Sequence, residues 1–517
     1  MEQRPMIYKR LSLQEMALRT ALVDIWNKTV DLLSDENFRC RLYYAPCKKV
    51  NTNVENKINE IIEGMVKDNV LKLMIPAPLK KRMMLLVRPI GTELLNWQKF
   101  HKGILKHSCN TFYIPLLHHL CWQSAGLIAY GDTAERLVHL ESLDVEKRYQ
   151  FACTYCLVDY IPNLWEKLSE ETRERFYGQL SVSPWRQVQL ESYWAYVLKG
   201  EESKLDSIVS RRFEEGFSFN RYAFEGVARK GNRTAAEYFF QKLTDEEKRN
   251  SVRDTTKFIL KIGRPNATRM NCDAPKEKLS DVMFYIFSQM RDEERLELMI
   301  RFPAETLVCY FDWPWQDALL DHAAIIWEFL TGIQCFRLVN EINQHIEDSG
   351  YYLPDLLQQF FLRSPDRFRT DFVCYECEIS GFYGDPGILS KLFEAEDKET
   401  IGVIFGAIDV EDRRKLVSTY RFYEIFEGLI EKNKWQLIEL CLQKASFTGE
   451  SKEELKKTYR RFLDRAMPNK KPGLDKFFEF LDKMEKNTSN KRSSEEETEL
   501  KSKKRRIEAS RGDTQPV

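Results

Sequence analysis

The residues best suited to chemistry are two Cys-x-x-Cys pairs, Cys153 with Cys156 in "FACTYC" and Cys374 with Cys377 in "VCYEC". Four thiolates would satisfy a structural zinc ion, and one exposed low-pKa pair would suit thiol–disulfide exchange. Neither flank reads as a strand leading into a helix, and "KRYQFACTYCLVDYI" is crowded with aromatic residues. Both pairs are therefore expected to be core residues on one face of a helix, where positions three apart lie side by side. A second cluster, His101, His107, Cys109, His118, His119 and Cys121, has nitrogen and sulfur donors, but its spacing fits no common zinc finger. No metal and no cofactor are expected.

Catalytic motifs are missing from the sequence. It contains no Gly-x-x-x-x-Gly-Lys phosphate loop, nucleophile elbow or His-Glu-x-x-His, and "GFYGDPG" at 381–387 is turn chemistry without the lysine a phosphate loop needs. The expectation is a non-enzyme. Large aromatics beside turns, Trp313 and Trp315 in "YFDWPWQD" and Tyr351 and Tyr352 in "SGYYLPD", are candidate anchors for a partner. In the tail, Lys491 and Arg492 followed after ten residues by Lys503, Lys504, Arg505 and Arg506 resemble a bipartite nuclear localisation signal, which an import receptor would read by charge.

Helices must carry these residues. Leu11, Leu18, Leu22, Ile25, Trp26 and Leu33 recur at three- and four-residue intervals, with Ser12 and Glu15 spaced as a capping box, so the pattern predicts a helix over 11–33. Val54 through Val70 predicts another over 54–73, and "TELLNWQKFHKGILKH" a third over 92–107; Pro76, Pro78 and Pro89 punctuate the segment between. From about residue 120 a junction recurs. An aromatic or Leu is followed three residues on by Leu, Ile or Met, then at fixed offsets by Glu and by Lys or Arg. It is written "LESLDVEKR", "WEKLSEETR", "FQKLTDEEK", "FSQMRDEER" and "FGAIDVEDR". The apolar pair closes one helix, and Asp144, Ser169, Thr244 and Asp409 cap the next, while Glu sits in the first turn where the helix dipole favours it. In the fourth copy Arg291 fills the cap slot, with Asp292 beside it as the substitute.

Between junctions lie pairs of amphipathic stretches joined by short polar turns. Each pair is a helical hairpin that cannot bury its own apolar face, so neighbours must stack. Turns near Gly131, Asp159, Gly200, Gly231, Arg291, Gly332, Gly384 and Asn433 give irregular intervals, a degenerate array. The stretch "AFEGVARKGNRTAAEYFFQKL" at 223–243 resembles the helix pair of an ankyrin repeat, with Ala228, Gly231 and Ala235 at that family's small positions. The family's Thr-Pro-Leu-His opening is absent and its 33-residue period is not kept. The resemblance implies a protein-binding scaffold and supplies no catalytic residues.

The chain has 517 residues with a net charge of zero, but the charge is unevenly placed: +8 over 1–120, −14 over 121–450 and +6 over 451–517. An acidic middle between basic ends does not suit wrapping of nucleic acid along the length. No secretory signal and no run of eighteen apolar residues occur, so neither secretion nor a membrane span is expected, and the twelve cysteines are expected reduced. The expected fold is all-α: a helical N-terminal unit over 1–115, an irregular helical-hairpin repeat array (α-solenoid) over 116–466, a terminal helix or linker over 467–484 and a disordered tail over 485–517. The expected function is a scaffold or adaptor binding another protein on the solenoid surface, nuclear or shuttling between nucleus and cytoplasm. The alternative is a nucleic-acid-associated protein contacting DNA or RNA through its basic N-terminal unit, with "RCRLYYAPCKK" and "LKKR" as contacts, and its tail.

Overall fold

A computed structural model describes residues 11–32, 52–105, 114–178, 180, 188–213, 217–262, 279–313, 315–349, 353–379, 387–447, 449–466 and 477–482. The expected all-α helical repeat array is what these residues form. They contain no strand, and their one β-type pairing is an isolated bridge between Trp122 and Ile128. Contacts divide the chain into two compact units, Met1–Leu356 and Leu357–Val517. The division does not fall at 115. Within the first unit the helix Ala77–Leu105 packs directly on the helix Val145–Thr154, so the N-terminal helices are continuous with those that follow.

The first helix spans Leu13–Leu32, and Ser12 Oγ accepts from Glu15 N at 3.1 Å. Only this half of the expected capping box forms between the two residues. The Glu15 carboxylate turns instead to Arg19 Nη2 at 3.0 Å and Arg82 Nη2 at 2.9 Å. Thr52–Lys72 forms the second helix. The third starts much earlier than expected: Ala77–Leu105 is one helix with Pro89 inside it. An interior proline forfeits a backbone hydrogen bond and ordinarily costs about 3 kcal/mol. Here packing overrides that cost, since Leu86, Val87, Ile90 and Leu94 around it are buried in the core, and the Trp26 indole donates to Val87 O at 3.0 Å.

The junctions fold as expected. Their second apolar residue, Leu143, Leu168, Leu243, Met290 or Ile408, is buried in every copy. Asp144 accepts from Glu146 N at 2.6 Å, Ser169 from Thr172 N at 3.2 Å, Thr244 from Glu247 N at 3.3 Å and Asp409 from Asp412 N at 2.9 Å. In the fourth copy the substitute is not Asp292, which pairs with Arg295. Glu294 reaches back instead and accepts from Arg291 N at 3.2 Å.

The hairpin turns are built from one device repeated in both units. Cys156, Gly200, Gly231, Glu396 and Asn433 all take positive φ, between 50° and 83°. The amide after each donates five residues back: Leu157 to Ala152 O, Glu201 to Tyr196 O, Asn232 to Val227 O, Asp397 to Leu392 O and Lys434 to Leu429 O, all at 2.8–3.1 Å. The left-handed residue itself donates three back in each case. These are Schellman caps, which satisfy the last carbonyls of one helix while reversing the chain. Of the turns expected from sequence, Gly200, Gly231 and Asn433 are such caps, and Asp159 lies just after the Cys156 cap. Gly131 and Gly332 lie within helices, Arg291 sits at a junction, and Gly384 is outside the described residues. Glu396 supplies the cap that glycine spacing missed.

Candidate interaction surface

Trp313 and Trp315, the expected partner anchors, are engaged within the first unit. Trp315 stands just before the helix Gln316–Ile326, is 6% exposed, and donates from Nε1 to Asp281 Oδ1 at 2.6 Å. Its ring lies 4.0 Å from that of Phe284. The expectation of a contact surface at Trp315 is therefore corrected: apolar burial and a hydrogen-bonded indole make it core. Trp313 is half-buried, and the guanidinium of Arg19 lies over its ring at 4.3 Å. Arg19 is itself fully buried, and its Nη1 donates to Ala125 O at 3.1 Å, so it ties the first helix to two later segments. Tyr351 and Tyr352 lie outside the described residues, as do the localisation-signal residues Lys491, Arg492 and Lys503 to Arg506.

Of the metal candidates, His101 is a core residue. His101 is fully buried, with Nδ1 2.7 Å from Trp97 O and Nε2 2.7 Å from the Tyr155 hydroxyl. A carbonyl only accepts, so Nδ1 carries the proton and Nε2 accepts from Tyr155. Burial pushes its pKa down to about 3, against a smaller upward effect of the Trp97 hydrogen bond. Both nitrogens are thus occupied. His107 and Cys109 are outside the described residues, and among the described residues no group of three or more His, Cys, Asp or Glu is arranged to hold a metal ion.

The two Cys-x-x-Cys pairs differ. Cys153 is in the last turn of the helix Val145–Thr154, but Cys156 is past its end, as the left-handed residue of the Schellman cap. The expected shared helix face is corrected accordingly. Both thiols are buried, and burial, the largest influence, pushes both up. Cys374 ends the helix Asp366–Cys374, and Cys377 lies in the π-helical turn Tyr375–Ile379; both are only partly buried.

Apolar side chains do reach the surface elsewhere in the first unit. On the helix Asp292–Arg301, Leu296 and Ile300 are 44% and 41% exposed while Leu298 and Met299 face the core. Residues four apart share one helix face, so Leu296 and Ile300 form an outward apolar stripe. Ile325, on the helix Gln316–Ile326, is 51% exposed, and Ile333, on the helix Gly332–Ser349, is 68% exposed. The helix Pro303–Cys309 packs against all three of these helices. The sequence reading missed these residues because it sought aromatics beside turns; the signal was an apolar residue out of phase with each helix's buried stripe.

The basic N-terminal stretch is partly committed to the fold. Lys80 Nζ donates to Leu71 O at 2.8 Å, Arg82 pairs with Glu15, and Arg88 lies 3.7 Å from Glu63. Residues 39–49 are outside the described residues, and among those described no helix is long and apolar enough to cross a membrane.

The class defined by these elements is an all-α array of capped helical hairpins. Comparison with known protein families finds no match to the chain, and comparison with curated proteins finds none either.

Proposed function

We propose that the chain is a non-enzymatic interaction scaffold that binds another protein on its helical-hairpin surface, and that it acts in the nucleus. The observation that carries this reading is the set of outward apolar residues Leu296, Ile300, Ile325 and Ile333 on three helices that all pack against the helix Pro303–Cys309. Exposed aliphatic residues on helices lose hydration when a complementary apolar face covers them, and their already ordered backbone keeps the ordering cost small. The ankyrin-like pair at 223–243 supports the same reading by resemblance, and Lys491, Arg492 and Lys503 to Arg506 support entry into the nucleus through an import receptor.

The test is affinity purification from nuclear extract with the full chain and with Leu296→Glu combined with Ile333→Glu. The expected result is loss of one partner by the double variant at an unchanged melting temperature. Identical partner profiles would reject the surface. For the compartment, a fluorescent fusion with 503–506 changed to alanine is expected to leave the nucleus; unchanged accumulation would reject that part. Nucleic-acid binding through the N-terminal unit and tail is the second reading. It predicts salt-sensitive retention of the protein on heparin and DNA, but Arg82 and Arg88 are already paired with carboxylates and lend it less support.

A further inference from the structure

Two dithiols of identical spacing differ in burial. Cys153 and Cys156 are sealed inside a Schellman turn, with burial holding both as neutral thiols. Cys374 and Cys377 are only partly buried where the helix Asp366–Cys374 widens into the π-helical turn Tyr375–Ile379. Helical residues three apart have Cα atoms about 5 Å from each other, inside the roughly 4.4–6.8 Å that a disulfide spans. π-Helical turns are uncommon and recur at functional positions.

This turn is also fastened to the next hairpin. Tyr375 and Glu376, between the cysteines, are 1% and 2% exposed. Glu376 Oε1 accepts from Ile388 N at 2.8 Å and from Leu389 N at 3.5 Å, in the first turn of the helix Gly387–Glu394. Gly387 takes φ +65°, and a β-carbon there would lie 2.6 Å from Glu376 Oε2, so the carboxylate is held tightly over the helix start.

We propose that Cys374 and Cys377 are a redox-active pair that closes to a disulfide by exchange with a small-molecule disulfide, and that closure loosens the Glu376 cap on the helix Gly387–Glu394. In the first step one thiolate of the pair attacks a sulfur of the oxidant, forming a mixed disulfide and releasing one small thiolate. The second thiolate then attacks the cysteine sulfur of that mixed disulfide, forming the Cys374–Cys377 bond and releasing the second small thiol. The protein gives up two electrons and two protons, and the oxidant leaves as two thiols. No disulfide links the two sulfurs in this structure, so bringing them to bonding distance shifts the backbone that aims Glu376.

The full-length protein is equilibrated in buffers of reduced and oxidised glutathione, quenched with acid, and each cysteine is assigned by alkylation and mass spectrometry. The expected result is an internal Cys374–Cys377 disulfide in the folded chain while Cys153 and Cys156 remain thiols. Ile388 and Leu389 amides then exchange about tenfold faster, as the loss of one hydrogen bond requires. Cys374→Ser, shown to be folded by circular dichroism, is expected to abolish both changes. A pair that stays reduced, oxidises only when Cys153 and Cys156 also do, or links two chains would overturn the proposal. Disulfide formation with unaltered exchange at Ile388 and Leu389 would overturn the coupling to the helix.

Discussion

At the residue scale, His101 illustrates how environment removes a chemistry that composition suggested. Its folded pKa, near 3, lies below the ordinary value of 6.5, so the unfolded chain binds the extra proton in between. The contribution of neutral His101 is complete above pH 6.5 and is lost as pH falls toward 3, at about 1.4 kcal/mol per pH unit. Burial pushes His322 in the same direction. Denaturation midpoints measured from pH 7.5 to 5 are expected to fall, and His101→Gln to flatten part of the slope. Gly91 offers a steric counterpart: a β-carbon there would meet Trp26 Cζ2 at 2.5 Å, and that ring is 2% exposed. Gly91→Ala is expected to lower stability by about 1–3 kcal/mol, the usual range for overpacking, read by urea titration. Trp315→Ala is expected to lose about 3–5 kcal/mol; wild-type stability in that variant would return Trp315 to the partner surface.

At the element scale, the junction rule was legible because its physics is local. Caps at Asp144, Ser169, Thr244 and Asp409 follow from side-chain oxygens at set distances from apolar closers. What was not legible depends on partners distant in sequence. Pro89 reads as a breaker until Trp26 and the core around it are present. Glu396, at a left-handed turn position where glycine is the usual choice, gives no sign in the sequence that it will adopt φ 54°. The basic residue closing some of the junctions also had an unread role. Arg148 donates to Val138 O at 2.6 Å, and Arg413 to Ile408 O at 2.8 Å and to Lys444 O, in the following hairpin, at 2.9 Å. Arg369 stands at the same offset from Phe361 and donates to Ser364 O at 2.7 Å and Ala407 O at 2.8 Å. It marks a sixth junction that the Leu and Glu of the written pattern concealed. Arg369→Lys and Arg413→Lys keep charge but lose the fork that reaches several carbonyls. Each is expected to lower the stability of the second unit by about 1–2 kcal/mol, and a combined loss larger than the sum would show that the two clamps act together.

At the scale of the whole molecule, the helical class and the repeat character were readable from periodicity, while the division into Met1–Leu356 and Leu357–Val517 was not. An amphipathic pattern marks helices and hairpins but not where one unit ends; only tertiary contacts divide the chain. Arg19 makes the point, since its reach to Ala125 and Trp313 joins segments that no local window contains. Arg19→Met is expected to destabilise the first unit by about 3 kcal/mol or more, because Glu15 would be left half-buried with one cation fewer. Burial pushes the Glu15 carboxyl up, but Arg82 and Arg19 outweigh it and hold the group below its ordinary value. The stability Glu15 contributes is therefore present above the unfolded carboxylate pKa and lost as pH falls through the folded one, a wild-type acid limb that Arg19→Met would shorten.

The Schellman turns carry one further consequence. A hairpin that closes on its own backbone brings its stop signal with it and asks nothing of its neighbours at that end. Such a unit behaves as a cassette: the array can lengthen or shorten by whole hairpins, as repeat proteins do. Only the faces between adjacent hairpins then need refitting. Because Cys, Glu or Asn can stand where glycine is expected, copies made in this way can diverge in lettering while keeping the same bend.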